Sequence, residues 1–362
     1  MDIKERIEKI KKIFFRSEKV SLTQKIFFVQ QLGIMIRTGI SMSIALKTLS
    51  EQTKAKSFKR ILEDLGQQVE KGNLLSKGLE VHQKTFGELF INMVKAGEAS
   101  GKLEDVLKQL FVQMKKDHDI ISKVKGAMIY PVIVIIMMLA IGILMMLYVV
   151  PNITNVFKEI NIPLPLATRI LIAVSDFFVN NVIFVSLAIV ALISGFMILI
   201  KNPKGKYQFH KITLKLPIVG KIIKKINIAR FCRTLSSLLK TDIPIVQSFE
   251  ITSKILGNLL YREALLKSKE QIKKGISIEE SLKPYIAFFP PVILQMISVG
   301  EETGALDDIL EESAVFYEED VSQTMNILPS IIEPLLMVIL GIGVAGMAVA
   351  VIMPMYSLGQ AI

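Results

Sequence analysis

Gly97-Glu98-Ala99-Ser100-Gly101-Lys102-Leu103 is the stretch from which the organisation of this chain is read. Counting 203 positions on gives Gly300-Glu301-Glu302-Thr303-Gly304-Ala305-Leu306. The same offset, without a gap, pairs Lys71-Gly72 with Lys274-Gly275, Phe86 with Phe289 and Met93 with Met296. It also pairs Asp105 with Asp308, Leu107 with Leu310, Pro131 with Pro334 and Pro151 with Pro354. One register held from about residue 30 to residue 356 marks an internal duplication. Each copy is a polar helical region running into an apolar span.

Half of the chain is hydrophobic and the mean hydropathy is +0.48, high for a soluble protein. The apolar residues gather in three blocks. Lys125 and Lys158 bracket a charge-free run, Asp176 and Lys201 bracket a second, and no charged side chain follows Glu333. A helix rises about 1.5 Å per residue, so roughly 20 apolar residues cross a hydrocarbon core of about 30 Å. All three blocks reach that length, and a buried core helix seldom stays charge-free for so long. Transmembrane helices are expected at 126–151, 182–200 and 330–354, facing the lipid bilayer. Gly341-x-Gly343-x-x-Gly346 suits close helix packing, a weak signal for oligomerisation.

The polar regions read as all-α bundles of about six helices each, at 22–125 and 230–329, with no alternating strand pattern. In copy one, Gly39 suits a left-handed helix end and Ser41 an N-cap. Helices are expected near Ser57–Glu70, Ser76–Val81 and Phe86–Lys95, with Gly97–Gly101 turning into a helix from Leu103. Asp242 stands in the place of Gly39 in copy two, and Pro244 suits a first helical turn. Residues 1–21 form a basic amphipathic segment, suited to an anionic membrane surface, to a partner or to a solvated tail. No secretory signal is read there.

Orientation follows from the basic residues. Residues 201–230 carry nine Lys or Arg and no acid, so the basic linker 201–229 is expected in the cytoplasm. The linker 152–181 is then external, as is the tail 355–362, and the N-terminus and both helical domains face the cytoplasm.

Catalytic chemistry is hard to find. A phosphate-binding loop needs four residues between its glycines, then Lys and Ser or Thr. Here three residues intervene, Leu103 follows Lys102, and Ala305 replaces the lysine in copy two. The three histidines are scattered, and the single cysteine, Cys232, reads as a buried helical thiol. No cofactor, metal or nucleic acid is expected, and the chain reads as a non-enzyme. Glu98 and Glu301 lie near a helix start. Either they belong to a contact surface or cation site, or the glycines make a tight interhelical turn and the acids favour a helix N-terminus. A transporter component is the rival class, but it usually keeps ionisable groups at mid-membrane, and these spans have none.

Two helical domains, each with Gly-Glu-x-x-Gly-x-Leu (Gly97, Glu98, Gly101, Leu103; Gly300, Glu301, Gly304, Leu306) and each followed by a proline-bracketed span, resemble a known family. It is the type II secretion F protein and type IV pilus inner-membrane platform family. Lys123-Val124, Ala127-Met128 and Tyr130-Pro131 entering the first span and Val149-Val150-Pro151 leaving it add to the likeness. The match runs over roughly 22–356. Two features depart from it: the N-terminal segment is short, and Glu333-Pro334 replaces Tyr130-Pro131 before the third span, which closes at Pro354.

The resemblance implies a non-enzymatic platform in the bacterial inner membrane, usually oligomeric. Its implied partners are a hexameric assembly ATPase, pilins or pseudopilins, and membrane alignment proteins. The alternative is a polytopic membrane scaffold or transporter component unrelated to pilus assembly. Beyond the resemblance, residues 98–126 carry six Lys and five acids, whereas 301–329 carry nine acids and no base. That acidic face (Glu301, Glu302, Asp307, Asp308, Glu311, Glu312) is either a solvated helix or a docking surface. A basic partner would be the ATPase or the 201–230 stretch of a neighbouring protomer.

Overall fold

The computed structural model describes residues 20–152 and 166–361, and every described element is helical. In chain order these are α1 (Leu22–Arg37), α2 (Met42–Gln52), α3 (Lys56–Glu70), α4 (Leu75–Val81), α5 (Gln83–Phe86), α6 (Glu88–Ser100) and α7 (Leu103–Leu144). Then come α8 (Leu166–Asn180), α9 (Val182–Lys201) and α10 (Pro203–Lys215). Copy two follows with α11 (Val219–Leu239), α12 (Ile245–Ile255), α13 (Leu259–Ile272), α14 (Ile278–Leu282), α15 (Pro291–Thr303) and α16 (Leu306–Ala361). The 203-residue register survives folding: α15 repeats α6 and α16 begins where α7 does.

Residues up to Ile121 and His210–Val321 form one unit, which holds both polar copies. Its elements begin and end for local reasons. Ser21 Oγ accepts from the Gln24 N–H at 3.2 Å while Gln24 Oε1 accepts from the Ser21 N–H at 2.9 Å, a reciprocal cap that starts α1. Gly39 closes it at φ 81°, where a β-carbon is strained, and Asp242 holds the matching place after α11 at φ 58°. Ser41 stands before α2, but its hydroxyl makes no capping bond.

The core is duplicated too. Phe28, Phe58 and Phe86 meet with ring centroids 5.8–6.3 Å apart, and 203 positions on Phe231, Tyr261 and Phe289 meet at 5.1–5.5 Å. Tyr261 brings a hydroxyl into a place that holds a phenyl ring in copy one. It donates to the Phe288 carbonyl at 2.9 Å, and burial pushes its pKa up.

Ser122–Phe209 and the residues from Ser322 on form the second unit. Among the described residues, three helices are long and apolar enough to cross a membrane, within Leu103–Asn152, Ile183–Lys201 and Leu306–Gly346. Pro131 is carried inside α7. The helix then widens into a π turn over Met145–Val149 and resumes through Pro151. There the Val150 N–H bonds to Met145, and Pro151 has no N–H to offer. The Met146 carbonyl is instead met by Ser175 Oγ of α8 at 2.7 Å.

Several boundaries differ from the sequence reading. The basic linker 201–229 is helical, as α10 and the start of α11, because its lysines alternate with an apolar stripe. The segment 152–181 contains α8. Helix α16 runs on past Pro354 to Ala361, so 355–361 continues the same helix. Gly97 lies inside α6 rather than in a turn. Gly341, Gly343 and Gly346 meet nothing within 4 Å in the single chain. The N-terminal segment lies outside the described residues except for its last two positions.

The duplicated aromatic core sets a stability expectation. Phe231→Ala should destabilise the helical unit by about 3–5 kcal/mol, and Tyr261→Phe by only about 1 kcal/mol. Chemical denaturation of the purified protein followed by circular dichroism measures both.

Candidate functional site

The repeated motif builds the same small device twice. Helix α4 starts after Leu74, which has no side chain able to cap, so its first N–H groups need partners from elsewhere. Glu98 supplies them from 23 residues downstream. Its two carboxylate oxygens accept from the Leu75 N–H at 2.6 Å and the Ser76 N–H at 3.1 Å. In copy two Glu301 accepts from the Ile278 N–H at 2.7 Å and the Glu279 N–H at 3.1 Å. An anion on a helix N-terminus also meets the positive end of the helix dipole.

The helix start that these acids serve is therefore α4 or α14, and not the one just after the motif. Locally Glu98 sits in the last turn of α6. A cation at Glu98 would compete with both N–H groups. Among the described residues, no three His, Cys, Asp or Glu gather as a metal site.

The glycines do two different jobs. Gly101 and Gly304 end their helices at φ 69° and 72°. Gly97 and Gly300 instead allow the helix to lie close against the next one. A β-carbon on Gly97 would stand 2.7 Å from Val106 Cγ2, and one on Gly300 would stand 2.9 Å from the Leu306 Cα. Leu103 and Leu306 open α7 and α16 against these glycines. The motif thus clamps α4, α6 and the long α7 stem to one another.

Beside the two motif turns lies a cleft of about 340 Å³, lined among others by Lys102, Asp105, Lys108, Lys240, Asp307 and Asp308. Its lysines and aspartates balance, so it suits a mixed-charge polypeptide surface better than a lone phosphate.

A polar seam joins the copies. Arg233, 5% exposed at its side chain, holds Glu318 by two bonds of 2.7 and 3.0 Å and Glu311 by one of 3.2 Å. Lys116 of copy one reaches the same Glu318 at 3.1 Å. Arg230 pairs with Asp117 at 3.0 Å and Lys225 with Asp320 at 2.7 Å. Lys240 holds Asp308 at 2.9 Å and also bonds Glu311. Buried Gln113 donates to Thr234 at 3.2 Å. Burial works against the charge of Arg233, but the bonds and charges of Glu318 and Glu311 outweigh it and raise its pKa. Hydrogen bonding to Glu311, against some desolvation, raises that of Lys240.

This geometry corrects the reading of the acidic face. Glu301 is a cap, and Asp308 and Glu311 are paired with α11 of their own chain. Glu302 and Glu312 remain exposed and Asp307 is half-buried in the cleft. The basic 201–230 stretch likewise spends Lys225 and Arg230 within the chain. Sequence reading missed Arg233 and Glu318. The signal was there: an arginine between Cys232 and Leu235 in an apolar helix needs a buried anion. Of the remaining motif residues, Tyr130 and Pro131 lie in α7, Pro151 in the helical turn that continues it, and Pro334 and Pro354 in α16.

Two substitutions read out these devices. Glu98→Ala should cost about 0.5–2 kcal/mol through the lost cap. Arg233→Ala should cost about 3–5 kcal/mol by stripping buried Glu318 of its two guanidinium bonds and leaving it with the half-exposed Lys116, and Arg233→Met with Glu318→Leu should recover most of that loss. Unfolding midpoints of the single and double variants test both.

Comparison with known proteins reproduces the duplication. A family model described as "Type II secretion system (T2SS), protein F" matches residues 28–151 and again 231–354, the same 203-residue step. A type IV pilus assembly protein PilC of Myxococcus xanthus is 33% identical over 335 residues, covering 92% of this chain and 80% of that one. PilC of Thermus thermophilus is 34% identical over 331 residues, covering 91% and 81%. A type II secretion system protein F of Pseudomonas aeruginosa is 29% identical over 331 residues, covering 91% and 82%.

Proposed function

Because the chain belongs to the type II secretion system protein F family, we propose that it is the inner-membrane platform of a type IV pilus or type II secretion machine. In this reading it performs no catalysis. It couples a cytoplasmic hexameric assembly ATPase to the assembly of pilins or pseudopilins, alongside membrane alignment proteins. The observation that carries the reading is the continuity of α7 and α16. Each begins at a motif turn in a polar copy and runs without a break into an apolar span. At about 1.5 Å per residue, α16 is about 84 Å long. In this reading α7 and α16 are the segments through which each polar copy is connected to its span.

The direction of coupling rests on the positive-inside argument. The nine basic residues of 201–230 support a cytoplasmic position for the polar copies, where an ATPase would meet them. The domain limits at 22–125 and 230–329 and the external placement of 152–181 belong to the same proposal. Glu302, Asp307 and Glu312 are the acids left for a basic partner. Glu312 is a better site for charge reversal than Glu311, whose reversal would break the seam.

Detergent co-purification with the cell's assembly ATPase tests the reading. Recovery should fall between low and moderate salt, and Glu302→Lys with Glu312→Lys should lower it several-fold. No recovery in either salt, even after cross-linking in intact cells, would contradict the coupling role.

A further inference from the structure

The two copies meet through different faces. Copy two offers α11, Asp242, Ile243 and α12; copy one receives them with α6 and the start of α7. Asp242 pairs with Lys102 at 2.7 Å, Lys254 with Glu88 at 2.7 Å, and Gln247 lies 3.5 Å from Asn92. Leu238, Ile243 and Ile251 of copy two are built into the core of copy one. A two-fold pair would repeat each contact with the copies exchanged. Here the exchanged positions are bare, so the interface is heterologous, and such an interface leaves one unused face at each end.

Those unused faces have changed in a correlated way. On the offering side of copy one, Ile40 matches Ile243 but is 39% exposed against 4%. Phe27, Ile34 and Ile44 stand exposed where Arg230, Ser237 and Gln247 stand in copy two. On the receiving side of copy two, Phe316 is 62% exposed where Gln113 is 1% exposed in copy one, and Val292 is exposed where Leu89 is packed. The buried Ser237–Gln113 contact thus has the unpaired apolar counterpart Ile34 and Phe316. The ion pair of Asp242 with Lys102 has Gly39 and Ala305, and that of Lys254 with Glu88 has Glu51 and Pro291. None of these replacements opposes like charges.

We infer that a second copy of this chain docks head to tail, its copy-one face (Phe27, Ile34, Ile40, Ile44) on the copy-two face (Val292, Phe316) of the first, repeating the contact between the copies within one chain. The occupant is a further copy because the internal interface is its template, and exposed apolar patches of this kind otherwise favour aggregation. A repeated heterologous contact closes into a ring or continues as a filament. The inference stands on the duplication and its contacts, so its failure would leave the platform reading untouched.

Cross-linking in the membrane tests it. Cys232 is the single natural cysteine, it is buried, and burial raises its pKa, so it should stay silent. Full-length chains carrying Ile44→Cys and Gln295→Cys are co-expressed and treated with an oxidant or a short bismaleimide. A 44–295 dimer should form at least tenfold above either variant alone. Equal dimer yields from a single variant, or no product from the pair, would overturn the inference. As an independent arm, Ile34→Lys and Phe316→Asp should each shift the detergent-purified protein to the monomer with an unchanged melting midpoint. Mixing those two variants should restore a dimer, and unchanged oligomers from both alone would likewise overturn it.

Discussion

One carboxylate placed on two backbone N–H groups, twice in the chain, is the contact on which the rest of this structure depends. Helix α4 is too short and too poorly capped to hold its own start. Glu98 holds it, and Glu98 itself is held because Gly97 lets α6 lie against α7. The bundle, the turn and the stem are therefore fastened at one point. The stem then becomes the membrane span without interruption. Glu301 does the same work for copy two, where Ser277 adds a second cap. A glutamate reaches two adjacent N–H groups at once, which a shorter or neutral side chain would do less well.

The second constraint is charge. A helix start bearing seven acids and no base over 306–329 packs most favourably on a basic neighbour. Helix α11 supplies Lys225 and Arg233, and Lys240 follows at its end, on the side that faces it. What reads along the sequence as a free acidic face is thus largely a seam inside the chain. Copy one, with balanced charge over the same positions, has no such need. The two copies share a fold and a core but differ in how they are neutralised, and that difference lets them lie side by side without being interchangeable.

Much of this was legible in the sequence. The duplication, the three apolar spans and the all-helical bundles follow from register, length and periodicity. Gly39 and its substitute Asp242 were readable because a left-handed helix end accepts few residues. The target of Glu98 was not legible, since nothing local says that a carboxylate will bond N–H groups 23 residues upstream. Gly97 was misplaced into the turn because close helix approach and left-handed backbone both select glycine. The seam was hidden because Arg233 and Glu318 lie 85 residues apart, and long-range pairing leaves no periodic trace. The helical character of 201–229 was masked by its lysines, which read as an orientation signal.

The most direct measurement is residue-resolved amide hydrogen exchange on the full-length protein in a bilayer disc. Leu75, Ser76, Ile278 and Glu279 sit at helix starts, where amides normally exchange quickly. With Glu98 and Glu301 seated on them, all four should exchange as slowly as the helix interiors around them. Fast exchange at both helix starts would contradict the account, because the motif would then fasten nothing.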